Sequence, residues 1–289
     1  MKRANIVIGT RGSKLAMIYA ENVKNELKKY FPNKIELKKI VTTGDQKQDE
    51  RLSEIGGKGL FSTQIEKELI NKSIDIAVHA LKDMPSIKTS NLITNNFLKR
   101  NSPNEILISK NNIKFEDLEP DSVIGTSSYR REYQLKKKRS DLKYKLIRGN
   151  VDTRIQKLEK GEYDAILLSK AGIDSLKLGH KISQEFNIDE LIPCAGQGII
   201  AIQCREDDKE IKKLLEYVND KEIHGLINNA GYLYNGKTGA IPQHEINKML
   251  TINYSAPLQL IQGLLDNLKR GKAHIVNIGS MGGVSGSSK

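Results

Sequence analysis

The sequence predicts an α/β protein whose first 220 residues or so form two lobes around a cleft. Three observations predict it. Short aliphatic, β-branched runs alternate with stretches whose apolar residues recur at helical spacing, the pattern of a largely parallel sheet flanked by helices. Three of those runs end in small polar residues with arginines close behind. The stretch is also long enough that two lobes are expected rather than one sheet.

Ile6-Val-Ile8 reads as a strand that breaks at Gly9-Thr-Arg-Gly-Ser13, and a helix follows with Leu15, Tyr19, Val23, Leu27 and Tyr30 on one face. Ile35 to Val41 alternates as a second strand. Gly56-Gly-Lys-Gly59 is a turn into a helix carrying Leu60, Phe61, Ile65 and Leu69. Ile74, Ile76 and Val78 form a buried strand that ends at His79, Lys82, Asp83 and the Met84-Pro85 pair. Strands are also expected at Ile106 to Ile108, Val123 to Gly125, Tyr144 to Ile147, Ala165 to Leu168 and Ile199 to Cys204. Ile211, Leu214, Leu215 and Val218 close the series at helical spacing.

Composition narrows the function classes. Hydrophobic residues at 38% and charged residues at 28% are ordinary for a soluble chain, and no apolar run is long enough to span a membrane or serve as a signal peptide. A cytoplasmic protein is expected, with no membrane partner. The two cysteines, Cys194 and Cys204, have neither disulfide-framework nor zinc spacing, and the five scattered histidines suggest no metal site. A net charge of +12 calls for an anionic partner. Nucleic acid is not the expected one. The densest basic run, Lys136 to Arg139, reads as a solvated helix end, and no aromatic residues interleave it for base stacking.

The sharper signal is repetition. At 9–13, 125–131 and 148–154 a strand gives way to Gly, Ser, Thr or Asn and a helix begins near one or two arginines. A helix start offers free N–H groups and the positive end of the dipole, and a guanidinium adds a planar fork for a carboxylate. The candidates are Arg11 and Ser13; Ser128, Arg130 and Arg131; Arg148 and Arg154. Three such starts in one frame imply a ligand with several anionic groups. Within the first 220 residues neither a phosphate-binding Gly-x-x-x-x-Gly-Lys loop nor a Gly-x-Gly-x-x-Gly turn occurs, so a polycarboxylate fits these helix starts better than a phosphate. Asp83 is then the odd group out, a carboxylate facing a cationic centre or a transferable proton.

The motifs Gly9-Thr-Arg-Gly-Ser-Lys-Leu-Ala16, Gly56-Gly-Lys-Gly-Leu-Phe61, Val78-His-Ala-Leu-Lys-Asp-Met-Pro85, Gly125-Thr-Ser-Ser-Tyr-Arg-Arg131, Leu146-Ile-Arg-Gly-Asn-Val-Asp-Thr-Arg154 and Gly196-Gln-Gly198 stand in one order. In that order they resemble the hydroxymethylbilane synthases, also called porphobilinogen deaminases, over residues 4–220. The resemblance implies two periplasmic-binding-protein-like lobes, residues 1–98 with 199–220 and residues 99–198. It implies condensation of four porphobilinogen molecules with loss of ammonia, in tetrapyrrole and heme biosynthesis, by a monomer. Asp83 becomes the catalytic carboxylate. Lys82, Arg11, Ser13, Ser128, Arg130, Arg131, Arg148 and Arg154 become the residues that hold carboxylates of substrate and of a covalent dipyrromethane cofactor. Lys58, within a mobile 45–60 segment, covers the cleft, and Gln197 sits in the Gly-Gln-Gly turn.

Past residue 220 the texture changes. Residues 223–289 hold eight charged residues in 67, against 74 in the preceding 222, and ten of the 23 glycines, which marks a boundary. The family's third domain carries a Gly-Gly-Cys anchor for the cofactor, whereas this sequence has no cysteine after Cys204. Leu226-Ile-Asn-Asn-Ala-Gly231, Met249-Leu-Thr-Ile-Asn-Tyr254 and Ile275-Val-Asn-Ile-Gly-Ser280 instead resemble the interior of a short-chain dehydrogenase, a partial Rossmann-like fragment. There Asn229 borders the nicotinamide cofactor, and Asn253 and Ser280 match catalytic positions. Residues 223–289 hold neither that family's glycine-rich turn nor its Tyr-x-x-x-Lys pair, so NAD(P) is not expected to serve here. The expectation is a truncated, chimeric synthase, impaired or inactive. A non-catalytic two-lobed anion-binding protein and a fusion with a vestigial reductase fragment remain open as alternatives.

Overall fold

The computed structural model describes residues 3–46, 59–85, 87–218, 225–228, 231–233, 240–270 and 272–277. The chain divides into two compact units, Met1–Asn219 and Asp220–Lys289.

In the first unit, β1 (Asn5–Arg11), α1 (Lys14–Lys28), β2 (Lys34–Ile40), the short α2 (Thr43–Gln46), α3 (Thr63–Ile70), β3 (Ile76–Ala80) and β4 (Leu92–Phe97) come first. There follow β5 (Glu105–Ser109), β6 (Val123–Gly125), α4 (Tyr129–Lys138), β7 (Lys143–Lys145), α5 (Val151–Glu159), β8 (Ala165–Ser169), α6 (Lys170–Ser175) and β9 (Gln184–Phe186). The unit closes with β10 (Ile200–Arg205) and α7 (Lys209–Leu215).

Two five-stranded sheets result, ordered β2-β1-β3-β10-β4 and β7-β6-β8-β5-β9. They share one plan. Three strands run parallel, as βαβ connections require, and the fourth runs against its neighbours: β10 is antiparallel to β3 and β4, and β5 to β8 and β9. Largely parallel sheets were expected, and the structure corrects this to mixed sheets. The reason is the double crossing between lobes. Each crossing delivers a strand, β5 on the way out and β10 on the way back, against the direction of the βαβ strands.

Each sheet is buried on both faces. Ile6, Ile8, Ile76 and Val78 pack against Tyr19, Val23 and Leu27 of α1 and Ile211 and Leu215 of α7. The other face packs Ala77 and Leu92 against Ile65 and Leu69 of α3. In the second lobe, Leu107, Ala165 and Leu167 meet Phe115, Leu135 and Phe186 on one face, and Ile106, Ile166 and Leu168 meet Ile155 and Leu158 on the other. Below β3, Arg205 spans Asp75 at 3.2 Å and Asp208 at 2.8 Å, and its other nitrogen caps the carbonyls of Leu69 and Ile74. The basic run at 136–139 divides: Lys136 to Lys138 end α4, but Arg139 ties the carbonyls of Glu116 and Leu118 to Asp141.

The second unit contains β11 (Gly225–Asn228), α8 (Gln243–Leu250), a π-turn at Thr251–Ser255, α9 (Ala256–Gly263), α10 (Leu265–Arg270) and β12 (His274–Asn277). β11 and β12 pair in parallel, with Asn228 Nδ2 donating to Asn277 Oδ1 at 2.6 Å. Leu268 is buried, whereas Ile227, Leu233, Leu250, Tyr254 and Leu260 are exposed. Among the described residues no helix is long and apolar enough to cross a membrane.

Candidate functional site

The strand-to-helix turns anticipated in the sequence converge on one cavity of about 670 Å³ at the C-terminal ends of β1, β3 and β8. Ser13 stands in extended conformation before α1, and its Oγ accepts from Ala16 N at 3.3 Å. Ser128 caps α4 in the same way, accepting from Arg131 N at 3.4 Å. Asn150 stands at the N-terminus of α5 without a side-chain cap bond. β3 ends in a single 3₁₀ turn, Leu81–Asp83, pinned by Leu81 N donating to Ile199 O at 3.0 Å. These terminations fix where the charged side chains emerge.

Arg11, Ser13, Lys82, Asp83, Arg131, Arg148 and Arg154 all line the cavity. Ser128, Arg130 and Gln197 do not. Ser128 is committed to its helix cap, and Arg130 turns to Glu105 at 2.5 Å and to the carbonyl of Ile192. Gln197 is buried, donates to Pro103 O at 2.6 Å, and offers Oε1 to Lys82 Nζ at 3.5 Å. Its place is behind Lys82. Lys58 lies outside the described residues, as do Asn229 and Ser280. Asn253 clamps Tyr232, accepting from its N at 2.8 Å and donating to its O at 2.9 Å, so both ends of its amide are used structurally.

Three positions that the sequence did not flag complete the site. Glu105, fully buried, takes Arg130 on one oxygen and Arg131 on the other, the latter at 2.6 Å. Asp45 pairs with Arg11, whose guanidinium also lies 3.9 Å over the Phe61 ring. Ser169 Oγ stands 3.4 Å from Lys82 Nζ. A glutamate at a strand start and an aspartate in a polar loop look like solvated residues in sequence, and neither carries a spacing signal. Phe61 was expected on a helix, but α3 starts only at Thr63, which frees the ring to stack on Arg11.

The electrostatics are those of an anion site: of the three carboxylates in its lining, Asp45 pairs with Arg11 and Asp152 with Lys14 at 3.6 Å, which leaves Asp83. Burial, reinforced by Arg131 and Arg148, pulls Arg154 down to about 10, with Asp83 pulling the other way. Burial also lowers Lys82, again opposed by Asp83. A buried guanidinium lowered by neighbouring cations, as Arg154 is, would be relieved by an incoming carboxylate. Among the described residues Asp83 makes no hydrogen bond or ion pair, so its oxygens face the cavity uncommitted.

His79, next to this floor, is buried and held neutral: burial lowers it to about 4, against the pull of Glu66 and Gln203. A base depressed on folding contributes stability fully above its unfolded value of 6.5, and loses it as pH falls toward 4. Urea denaturation at pH 7 and pH 4 is expected to show a loss on the order of 3 kcal/mol from this residue. A His79→Gln variant, which keeps a side-chain amide for Gln203, should lose correspondingly less stability over the same interval.

The fold and the site together define a two-lobed α/β protein with an arginine-walled, carboxylate-floored cleft. The family described as porphobilinogen deaminase, dipyromethane cofactor binding domain, matches residues 6–213, and short chain dehydrogenase matches residues 165–289. The porphobilinogen deaminase of Geobacillus kaustophilus is 46% identical over 225 residues, 77% of this chain and 73% of that one. That of Bacillus subtilis is 44% identical over 218 residues, 75% and 69% of the two chains. The chain belongs to the porphobilinogen deaminase family, the transferases of porphyrin biosynthesis also called hydroxymethylbilane synthases. Where the two matches overlap, at 165–213, the residues build β8, β10 and α7 of the first unit. Solved structures of similar outline include the periplasmic VFT2 domain of Bordetella pertussis BvgS, with a TM-score of 0.45 and 12% identity over 74% of this chain and 86% of that domain. A periplasmic binding protein of Salmonella typhimurium gives 0.43 and 13% over 76% and 93%. Likeness of that degree says nothing of shared ligands.

Proposed function

We propose that the cleft binds porphobilinogen and short oligopyrroles through their carboxylates, with Asp83 as the catalytic group, and that this chain turns substrate over slowly or not at all. One observation carries the reading: cations, of which Arg154 and Lys82 are lowered by burial and by neighbouring arginines, surround a single uncommitted carboxylate. Arg11, Arg131, Arg148, Arg154 and Lys82 are placed to hold acetate and propionate side chains. Asp83 is placed to stabilise the positive charge left on the pyrrole when ammonia departs, the kind of contribution that often dominates a catalyst's effect. Residues 1–98 with 199–220 make one wall of the cleft and residues 99–198 the other, and 223–289 are a dehydrogenase-like segment of the sequence.

The donor set fits the carboxylates of a dipyrromethane group: Arg131, whose buried Nε has no hydrogen-bond partner among the described residues, lines the cavity. The anchor does not fit. Cys204 is sealed in the core of the first lobe, and burial pushes its thiol up to about 11, far from a reactive thiolate. Cys194 is half-exposed, but its Sγ donates to Ala195 O at 3.4 Å and it does not line the cavity. Neither offers a thioether where the group's carboxylates would lie.

Incubation with porphobilinogen followed by intact-mass measurement tests this directly. The expected result is saturable binding with the protein mass unchanged, and an Asp83→Asn variant that still binds. A stable adduct of two pyrrole units on Cys194 or Cys204 would overturn the missing-anchor reading, and absence of binding would overturn the cleft reading.

A further inference from the structure

Next to the main cavity is a recess of about 80 Å³, walled by His79, Lys82, Asp83, Tyr19, Phe61 and Met84. It has room for a few water-sized groups. Behind it runs a buried polar chain. Thr89 Oγ1 donates to Glu66 Oε2 at 2.9 Å, Gln203 Nε2 donates to Glu66 Oε1 at 2.9 Å, and Gln203 Oε1 meets His79 Nε2 at 3.2 Å. A carboxylate only accepts, so the Gln203 amide nitrogen must face Glu66 and its oxygen must face His79. Nε2 of His79 is therefore the donor, and Nδ1 keeps its lone pair. Nδ1 makes no hydrogen bond among the described residues. His79 itself lines the recess. The ring stays neutral across the physiological range because burial disfavours its charged form.

We propose that His79 Nδ1 is a second acceptor for the aminomethyl nitrogen of bound porphobilinogen and for the ammonia it becomes, beside Asp83. The proposal rests on the reading of the cleft given above. A substrate ammonium has three N–H donors, and Asp83 supplies the counter-charge for one of them. A second carboxylate in the recess would bind the ammonium more tightly than the departing ammonia and so oppose release. A neutral acceptor does not discriminate in that way. When the carbon–nitrogen bond breaks, its electron pair leaves with nitrogen: ammonium becomes neutral ammonia, and the positive charge stays on the pyrrole, facing Asp83. No proton passes to His79 in this step. Gln203 and Glu66 act through His79 as positioning residues, since they fix which ring nitrogen carries the proton.

The test compares, by titration calorimetry on the full chain, porphobilinogen with an analogue whose aminomethyl group is replaced by methyl. In a His79→Leu variant, the preference for porphobilinogen over the methyl analogue is expected to fall about fivefold, the size of one hydrogen bond, with analogue affinity unchanged. Equal loss for both ligands, or an unchanged preference, overturns the proposal. A measurement on the unaltered protein needs no variant. With ¹⁵N-labelled histidine, Nδ1 of His79 should appear unprotonated and shift on adding porphobilinogen but not the methyl analogue. A protonated Nδ1, or a shift identical for both ligands, overturns it equally. If the unaltered protein binds neither pyrrole, the cleft reading itself fails. Binding of both ligands with no role for His79 would sink only the present proposal.

Discussion

Replacing Gly198 by alanine is expected to destabilise the first unit by about 3 kcal/mol or more, from two sources that add. Gly198 has a φ of +83°, a backbone conformation that costs other residues on the order of 1–2 kcal/mol. A Cβ there would overlap the Asn101 carbonyl and sit 2.9 Å from the Ser102 carbonyl oxygen. Both obstacles are main chain, so no rotamer change relieves them. The site matters because residues 101–102 carry the chain out of the first lobe and residue 198 carries it back, tied by Asn101 N donating to Gly198 O at 2.8 Å. Separating these segments should also loosen the register of β5 and β10 together. Urea denaturation followed by circular dichroism reads the stability loss. Full stability in Gly198→Ala would mean that the crossing segments tolerate independent movement.

Glu105→Ala is the second large effect, a loss of about 3–5 kcal/mol, because it leaves Arg131 buried beside Arg130 with no counter-charge. The Glu105 carboxylate has no exposure to solvent, while Arg131 also donates to Leu167 O at 2.9 Å and cannot withdraw to water without breaking that bond. Burial alone would raise Glu105, but Arg131 and Arg130 more than offset it and hold it below the ordinary value of 4.5. A carboxylate depressed on folding contributes stability fully above that ordinary value, and the contribution disappears as pH falls through the lowered one. The gap in denaturation free energy between the native chain and Glu105→Gln should therefore be widest near neutrality and narrow in acid. Arg130→Ala should cost less than Glu105→Ala, since Arg130 is partly exposed and leaves Glu105 still paired. A gap that persists unchanged in acid would mean that shape, not charge, accounts for the role of Glu105.

The strands with aliphatic cores were legible in sequence because β1, β3, β5, β8 and β10 are buried on both faces and so show unbroken apolar runs. β4 and β9 were not. β4 carries Thr94, Asn95 and Asn96 on a sheet edge, and β9 is three residues long with Gln184 and Glu185, so neither shows the alternation that marks a strand. The arginines at the helix starts were visible as a repeated local device. What sequence could not show is which arginines are already engaged. Arg130 and Arg131 are neighbours with the same local signature. Only the partner 25 residues earlier in the chain, Glu105, and the carbonyl of Ile192 turn Arg130 away while Arg131 keeps an edge on the cavity. Long-range pairing of that sort leaves no periodic trace.

The position of β10 between β3 and β4 has a consequence for synthesis. While the ribosome is still making residues 99–199, β3 and β4 have been extruded with a gap between them that no other segment can fill. The later-made lobe, continuous in sequence, can mature first, and the earlier-made one must wait with two strand edges open. Nascent chains arrested before residue 200 should therefore be the species that recruit chaperones and aggregate.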